Sequence, residues 1–208
     1  MTGDWRTELP LTRSTAGTVL RAVHAAGELD LPLPGSGRTL ARWTALAELA
    51  AADLSLGRLA EAHADAVAIL AELGGPPAVG LWGVWAAEPP TARVVAGRSG
   101  SGWRLSGTKA WCSGAEILDR ALVTAHAGDE RRLFALDVAA IVPDPASWPA
   151  VGLAATGTVT ITLDAVPGIA VGGPGAYLDR PGFWHGAAGL AAAWYGGALG
   201  AARLLLAA

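Results

Sequence analysis

A chain of 208 residues that is 52% hydrophobic is long enough to bury one large core or two small ones, which excludes a disordered chain. Its 15 Lys and Arg against 18 Asp and Glu leave no surplus of cations to neutralise phosphates and form no basic run, so nucleic acid is a poor partner. The single cysteine, Cys112, can make neither an internal disulfide nor a thiolate metal cage, and a cytoplasmic setting is expected.

The opening residues, Met1 to Glu8, lack the apolar core of a secretory signal. Residues 12 to 74 then carry helical periodicity. Thr15 to His24 is one amphipathic segment, and Leu40 to Leu73 repeats Leu, Ala and Ile at three- and four-residue intervals. Pro32, Pro34, Gly35 and Gly37 separate the two runs, and Leu54-Ser55-Leu56-Gly57 is where the second is expected to divide. Gly74-Gly75-Pro76-Pro77 is a hard stop, so residues 1–77 are expected to form an N-terminal helical domain.

Beyond Pro77 the pattern changes to short runs rich in Val, Thr, Trp and Leu: Leu81 to Trp85, Trp103 to Ser106, Ala121 to Ala125, Arg132 to Val138 and Thr158 to Leu163. Over residues 78–178 this predicts an antiparallel sandwich or barrel, with Val159, Ile161 and Leu163 on one face. Gly97 to Gly102 precedes a strand and opens no helix, so it reads as a hairpin turn rather than a dinucleotide fingerprint. Helical signal returns at Arg180. The uncharged run Gly186 to Ala202 is mostly Ala and Gly, and Gly196 and Gly200 stand at a spacing that suits close helix packing, so a buried helix is expected there and not a membrane span. The last residues, Leu204 to Ala208, carry no cap, and a helix this apolar is expected to have more protein to pack against. Helix, sheet and helix in that order, without βα alternation, give an α+β fold, with residues 179–208 as the first helix of an incomplete C-terminal helical domain.

Signatures of common sites are absent: there is no Gly-Lys-Ser/Thr phosphate loop, no paired His at metal spacing and no Gly-x-Ser-x-Gly elbow. His24, His63, His126 and His185 lie far apart and read as core or surface histidines. The informative stretch runs from Gly102 to Ala125. Trp103 to Leu105 reads as a strand, Ser106 to Lys109 as a turn, and Trp111-Cys112-Ser113 as the lead into a loop before the strand at Ala121. Two readings stay open on the residues alone. An aromatic ring, a hydroxyl and glycine-freed amides suit a flat, polar-edged heterocycle, and the same groups suit a buried Trp in a hairpin with Ser113 satisfying a turn.

This stretch resembles the middle-domain signature of the acyl-CoA dehydrogenase family, through Gly107-Thr108-Lys109, Trp111-Cys112-Ser113 and Asp119 at family-like spacing. Leu46 to Ser55 and on to His63 is similar to the family's N-terminal helices, and Arg180-Pro181 to Gly189-Leu190 resembles the start of its first C-terminal-domain helix. The resemblance implies FAD, with Trp111 packed on the isoalloxazine and Ser113 bonded near N5 with help from the amides of Cys112 and Ser113. Lys109 and Asp119 would stabilise the turn and strand. Trp85 to Pro89 resembles the family's flavin-touching Thr-Glu-Pro loop, with Ala87 in place of Thr and Glu88 as its structural carboxylate. Pro90-Thr91-Ala92-Arg93 replaces the glycine-rich stretch that lies near the pyrophosphate in the family.

By the same resemblance the reaction is α,β-dehydrogenation of an acyl-CoA thioester, in which a carboxylate takes the α-proton while hydride leaves to N5. Most members place that base in a part of the C-terminal domain that this chain does not contain. Some place it where Asp179 falls, a position that also suits a helix N-cap. A homo-oligomer or a completing partner subunit is implied. Two alternatives on the same fold are a non-catalytic partner of a dehydrogenase and a flavin-dependent monooxygenase, which needs no such base.

Overall fold

The structure is a computed structural model that describes residues 4–144 and 147–207. Its helical half is organised by Asp53. This residue is extended, at φ −158°, so it ends α2 (Thr39–Ala52), while its carboxylate accepts the amides of Ser55 at 2.8 Å and Leu56 at 3.1 Å and starts α3 (Leu54–Leu73). The other carboxylate oxygen accepts the amide of Leu11 at 2.9 Å, which ties in the segment before α1 (Ala16–Ala25). Gly57 has no side chain because one would collide with Ala50, so α2 and α3 cross in close contact. Gly74, at φ 68°, closes α3 as a left-handed cap.

Seven strands follow: β1 (Trp82–Trp85), β2 (Val94–Ser99), β3 (Gly102–Cys112), β4 (Arg120–Ala127), β5 (Glu130–Asp137), β6 (Val142–Asp144) and β7 (Val159–Val171). Neighbour by neighbour, β4, β2, β3, β7 and β5 form a ring that closes by the β4–β5 pairing, while β1 adds to β4 and β6 to β7. This is a barrel, as expected, but a mixed one: β1 and β2 both run parallel to β4, and the other pairings are antiparallel. The segment between β1 and β2 contains Pro89 and Pro90, which suit no tight hairpin, and β1 lies along β4 instead of folding back on β2.

The expected turn at Ser106 to Lys109 is not a turn. Gly107, at φ 125°, passes so close to the Arg93 carbonyl that a side chain would collide with it, and the strand bulges there and continues to Cys112. Val159, Ile161 and Leu163 are all buried, as their alternation predicts. They share one hydrophobic core with Val19 and Leu20 of α1, Leu56 and Leu59 of α3, and Leu81 and Leu105 of the β half. Each such side chain contributes on the order of 1.5–3 kcal/mol by burial.

After β7 come a short α4 (Ala176–Asp179) and a long α5 (Phe183–Ala207). Among the described residues α5 is the one helix long and apolar enough to cross a membrane. The expected burial holds only for a stripe: Gly189, Ala193, Gly196 and Gly200 are buried, and side chains at Gly196 and Gly200 would collide with the Ala47 and Ala51 carbonyls of α2. Trp184, Trp194, Tyr195 and Leu204 to Leu206 remain exposed, because glycine-mediated contact draws two backbones together along a narrow line.

Candidate functional site

A cleft of about 520 Å³ opens where the ends of β1 and β3 face α3 and the start of α5. Its barrel wall includes Trp85, Ala87, Trp111, Ser113 and Thr158, and its helical wall includes Arg58, Glu61, Asp65, Tyr177 and Arg180.

Trp111 reaches the cleft by a strained route. The pairing of β3 with β7 slips between Lys109 and Cys112, and Trp111 sits in that bulge at φ 61°, a conformation that costs a non-glycine residue on the order of 1 kcal/mol. The bulge turns the indole outward, where it is 54% exposed at the rim, and turns Cys112 inward. The Cys112 thiol is fully buried 3.4 Å from the Lys109 carbonyl, and burial pushes its pKa well above the ordinary thiol range, so it is inert. Ser113 follows at the cleft wall. Its carbonyl accepts from the Trp85 indole at 3.0 Å, and its hydroxyl lies 2.8 Å from that of Thr158, which lies 2.8 Å from that of Thr156.

Ala87 lines the cleft, but its neighbour Glu88 points away into a polar cluster behind the wall. The Glu88 carboxylate accepts from Thr124 at 2.6 Å and lies 3.0 Å from His126, 3.2 Å from Arg131 and 3.6 Å from Lys109. Burial raises the carboxyl, but the Thr124 hydrogen bond and the charges of Lys109 and Arg131 outweigh it and hold it below its ordinary range. Lys109 is buried, donates to the Thr124 carbonyl at 2.9 Å and hydroxyl at 2.8 Å, and is pulled down to about 8 by burial against the opposing attraction of Glu88. Asp119 accepts the Leu81 amide at 2.8 Å and the Arg21 guanidinium at 2.9 Å, joining the entry of β1 to α1.

Asp179 does not enter the cleft. It is the exposed last residue of α4, three residues short of α5, so it neither faces a substrate there nor caps the long helix. Glu61 and Asp65 are the acidic groups of the cleft, and sequence reasoning missed both. With Arg58 they form a stripe at three- and four-residue spacing on α3, a signal that was readable as a charged line on a helix rich in Ala and Leu. Glu61 accepts from Arg58 at 2.8 Å, and burial raises it to about 7 despite that partner. Asp65 pairs with Arg180 at 3.1 Å, and burial raises it too, with Arg180 opposing. Arg180 also holds Glu72 at 3.1 Å, and the Glu72 carboxylate accepts the Gly182 amide at 2.8 Å.

Two histidines far apart in sequence, His24 and His63, meet edge to face, with ring centroids 5.3 Å apart. His63 accepts the Trp82 amide at 3.1 Å and is held neutral, its pKa pushed down to about 4 chiefly by burial. Among the described residues no cluster of His, Cys, Asp or Glu suits a metal ion.

The groups lining the cleft fit the ring of a flat heterocycle better than they fit a polyphosphate. An indole face at the rim and a hydroxyl on the wall are available, whereas both arginines lining the cleft are already paired with carboxylates.

No family model matches the chain, and no curated protein matches it. Solved structures do. One is FMN-bound TdsC from Paenibacillus sp. A11-2, a dibenzothiophene monooxygenase, at 23% identity and a TM-score of 0.77, covering 96% of this chain and 60% of that one. A second is KijD3 in complex with FMN and a dTDP-linked sugar, at 21% identity and a TM-score of 0.73, covering 94% and 60%. A third is a variant of the Tcur3481–Tcur3483 steroid ACAD, at 24% identity and a TM-score of 0.70, covering 98% and 60%. The chain has an acyl-CoA dehydrogenase-like fold. It spans about 60% of the length of these chains, and at such identities the likeness establishes the fold alone.

Proposed function

We propose that the cleft binds the ring system of a flavin against Trp111 and Ser113, and that the chain serves a flavin-dependent oxidoreductase. The carrying observation is the bulge: a strained backbone holds an exposed indole beside a wall hydroxyl, and strain of that kind is retained where a site requires it. The flavin would supply the redox chemistry; the chain's own part is to stack the ring, bond its polar edge and exclude water on the α3 side. FMN and FAD both meet these requirements, since the residues of the cleft address the ring rather than the phosphate end.

Of the two chemistries open on this fold, monooxygenation with reduced flavin is our first reading. Asp179 lies outside the cleft and Asp65 is tied to Arg180, so neither stands free to take an α-proton, and TdsC supports the reading by likeness. Dehydrogenation of an acyl-CoA thioester by FAD is the second reading, favoured by Glu61, a cleft carboxyl poised near 7. Substrate-dependent oxygen uptake with supplied reduced flavin supports the first. Anaerobic bleaching of bound oxidised flavin by acyl-CoA, abolished in Glu61→Gln, supports the second. For either, Trp111→Ala with Ser113→Ala is expected to weaken flavin binding at least about tenfold, and unchanged affinity would contradict the site. We further place the protein in the cytoplasm, with the exposed apolar face of α5 covered in a homo-oligomer or by a completing partner.

A further inference from the structure

The hydroxyls behind Ser113 can be assigned a direction. Thr156 Oγ1 lies 2.7 Å from the Leu153 carbonyl oxygen, and a carbonyl only accepts, so the one hydroxyl proton of Thr156 is committed there. Toward Thr158, 2.8 Å away, Thr156 is therefore the acceptor and Thr158 the donor. With its own proton so used, Thr158 is the acceptor toward Ser113, also 2.8 Å away. The chain of bonds runs one way, from Ser113 through Thr158 and Thr156 to the Leu153 carbonyl. Thr156 is 1% and Thr158 5% exposed, so water does not reach in to reverse it. Ser113 is left with lone pairs alone for whatever occupies the cleft.

A flavin's N5 differs between its redox states in the property that such a group reads. Oxidised N5 is an acceptor without a proton, and two-electron-reduced N5 carries N–H. An acceptor facing an acceptor leaves both unsatisfied, whereas an acceptor facing N–H makes a bond.

We propose that Ser113, held as an acceptor by Thr158 and Thr156, makes this cleft selective for reduced flavin over oxidised flavin. The proposal rests on the flavin reading above, and it gives the hydrogen bond between Ser113 and N5 a direction. Oxidised flavin would bind, but with N5 unpaired or with Ser113 pulled from its partner.

The test is an anaerobic titration of the full chain with FMN and with FAD, each oxidised and dithionite-reduced, followed by quenching of tryptophan fluorescence. The wild type is expected to bind the reduced form at least about tenfold more tightly, which converts to about 1.4 kcal/mol. Thr158→Val removes the acceptor behind Ser113, frees its proton to point into the cleft, and is expected to bring the ratio toward one by strengthening oxidised binding. Ser113→Ala is expected to weaken the reduced form more than the oxidised. Equal wild-type affinities, or a ratio unmoved in Thr158→Val, would overturn the proposal while leaving the flavin site in place. No quenching by either redox state would remove the flavin site itself.

Discussion

Glu61 is the residue whose environment departs furthest from what its sequence position suggests. It is a carboxyl on a helix packed against a barrel, raised to about 7 by burial in spite of Arg58 at 2.8 Å. Because the folded pKa lies above the unfolded one, the folded state holds the proton more tightly, and stability falls as pH rises from about 4.5 through about 7. In Glu61→Gln this part of the pH dependence disappears. Urea midpoints at pH 5 and pH 8 are expected to show the variant gaining on the wild type by on the order of 2 kcal/mol at the higher pH; a constant difference between the two would contradict the assignment. Trp111 and Ser113 were legible beforehand because they are neighbours in the chain, and the stretch that holds them reads as a unit. Glu61 and Asp65 showed only as a charged line on α3, and their link to Arg180 was not legible, because Arg180 lies 115 residues from Asp65 and the pair exists only once the α4–α5 junction packs on α3. Asp179 was likewise read from its local spacing to Arg180; α4 ends on it and leaves it in solvent.

At the scale of elements, two devices fix α5 and with it the far wall of the cleft. The first is the glycine stripe. Gly196 lies so near the Ala47 carbonyl that even one methyl collides, so Gly196→Leu must push α5 off α2, and a loss of about 2 kcal/mol or more by chemical denaturation is expected. A neutral result would mean that α5 is not held where the structure places it. The second is the Arg180 clamp, with its guanidinium buried between Asp65 and Glu72. Arg180→Met leaves two carboxylates without their cation and is expected to cost about 3–5 kcal/mol, with raised susceptibility to proteolysis near Pro181. A change below 1 kcal/mol in the same denaturation measurement would show the clamp to be dispensable. The glycine spacing was readable in the sequence; the clamp was not. Strands divided in the same way. β3 and β7 showed through their aromatic and β-branched runs, but β2 and β6 did not, since Val94 to Ser99 gives way to Gly97, Arg98 and Ser99 in its second half and Val142 to Asp144 is only three residues long.

For the whole molecule, the order of helices, barrel and helix was legible from periodicity, because 3.6- and 2-residue patterns report directly on which face is buried. What periodicity cannot report is strand neighbourhood. The parallel placement of β1 and β2 beside β4, with β3 next to β2, brings Ala87 to the same cleft as Ser113. One core running from α1 and α3 into the barrel then holds both walls of the cleft in a single packed unit. The central claim is that these walls form a flavin site. It is tested most directly by incubating the purified chain with excess FMN or FAD, removing free flavin, and recording the visible absorption spectrum. Retained flavin with shifted bands, lost in the Trp111→Ala, Ser113→Ala double variant, is the predicted result. A wild-type protein that retains neither flavin, whether loaded oxidised or loaded reduced under anaerobic conditions, at full folding by circular dichroism, would contradict the account.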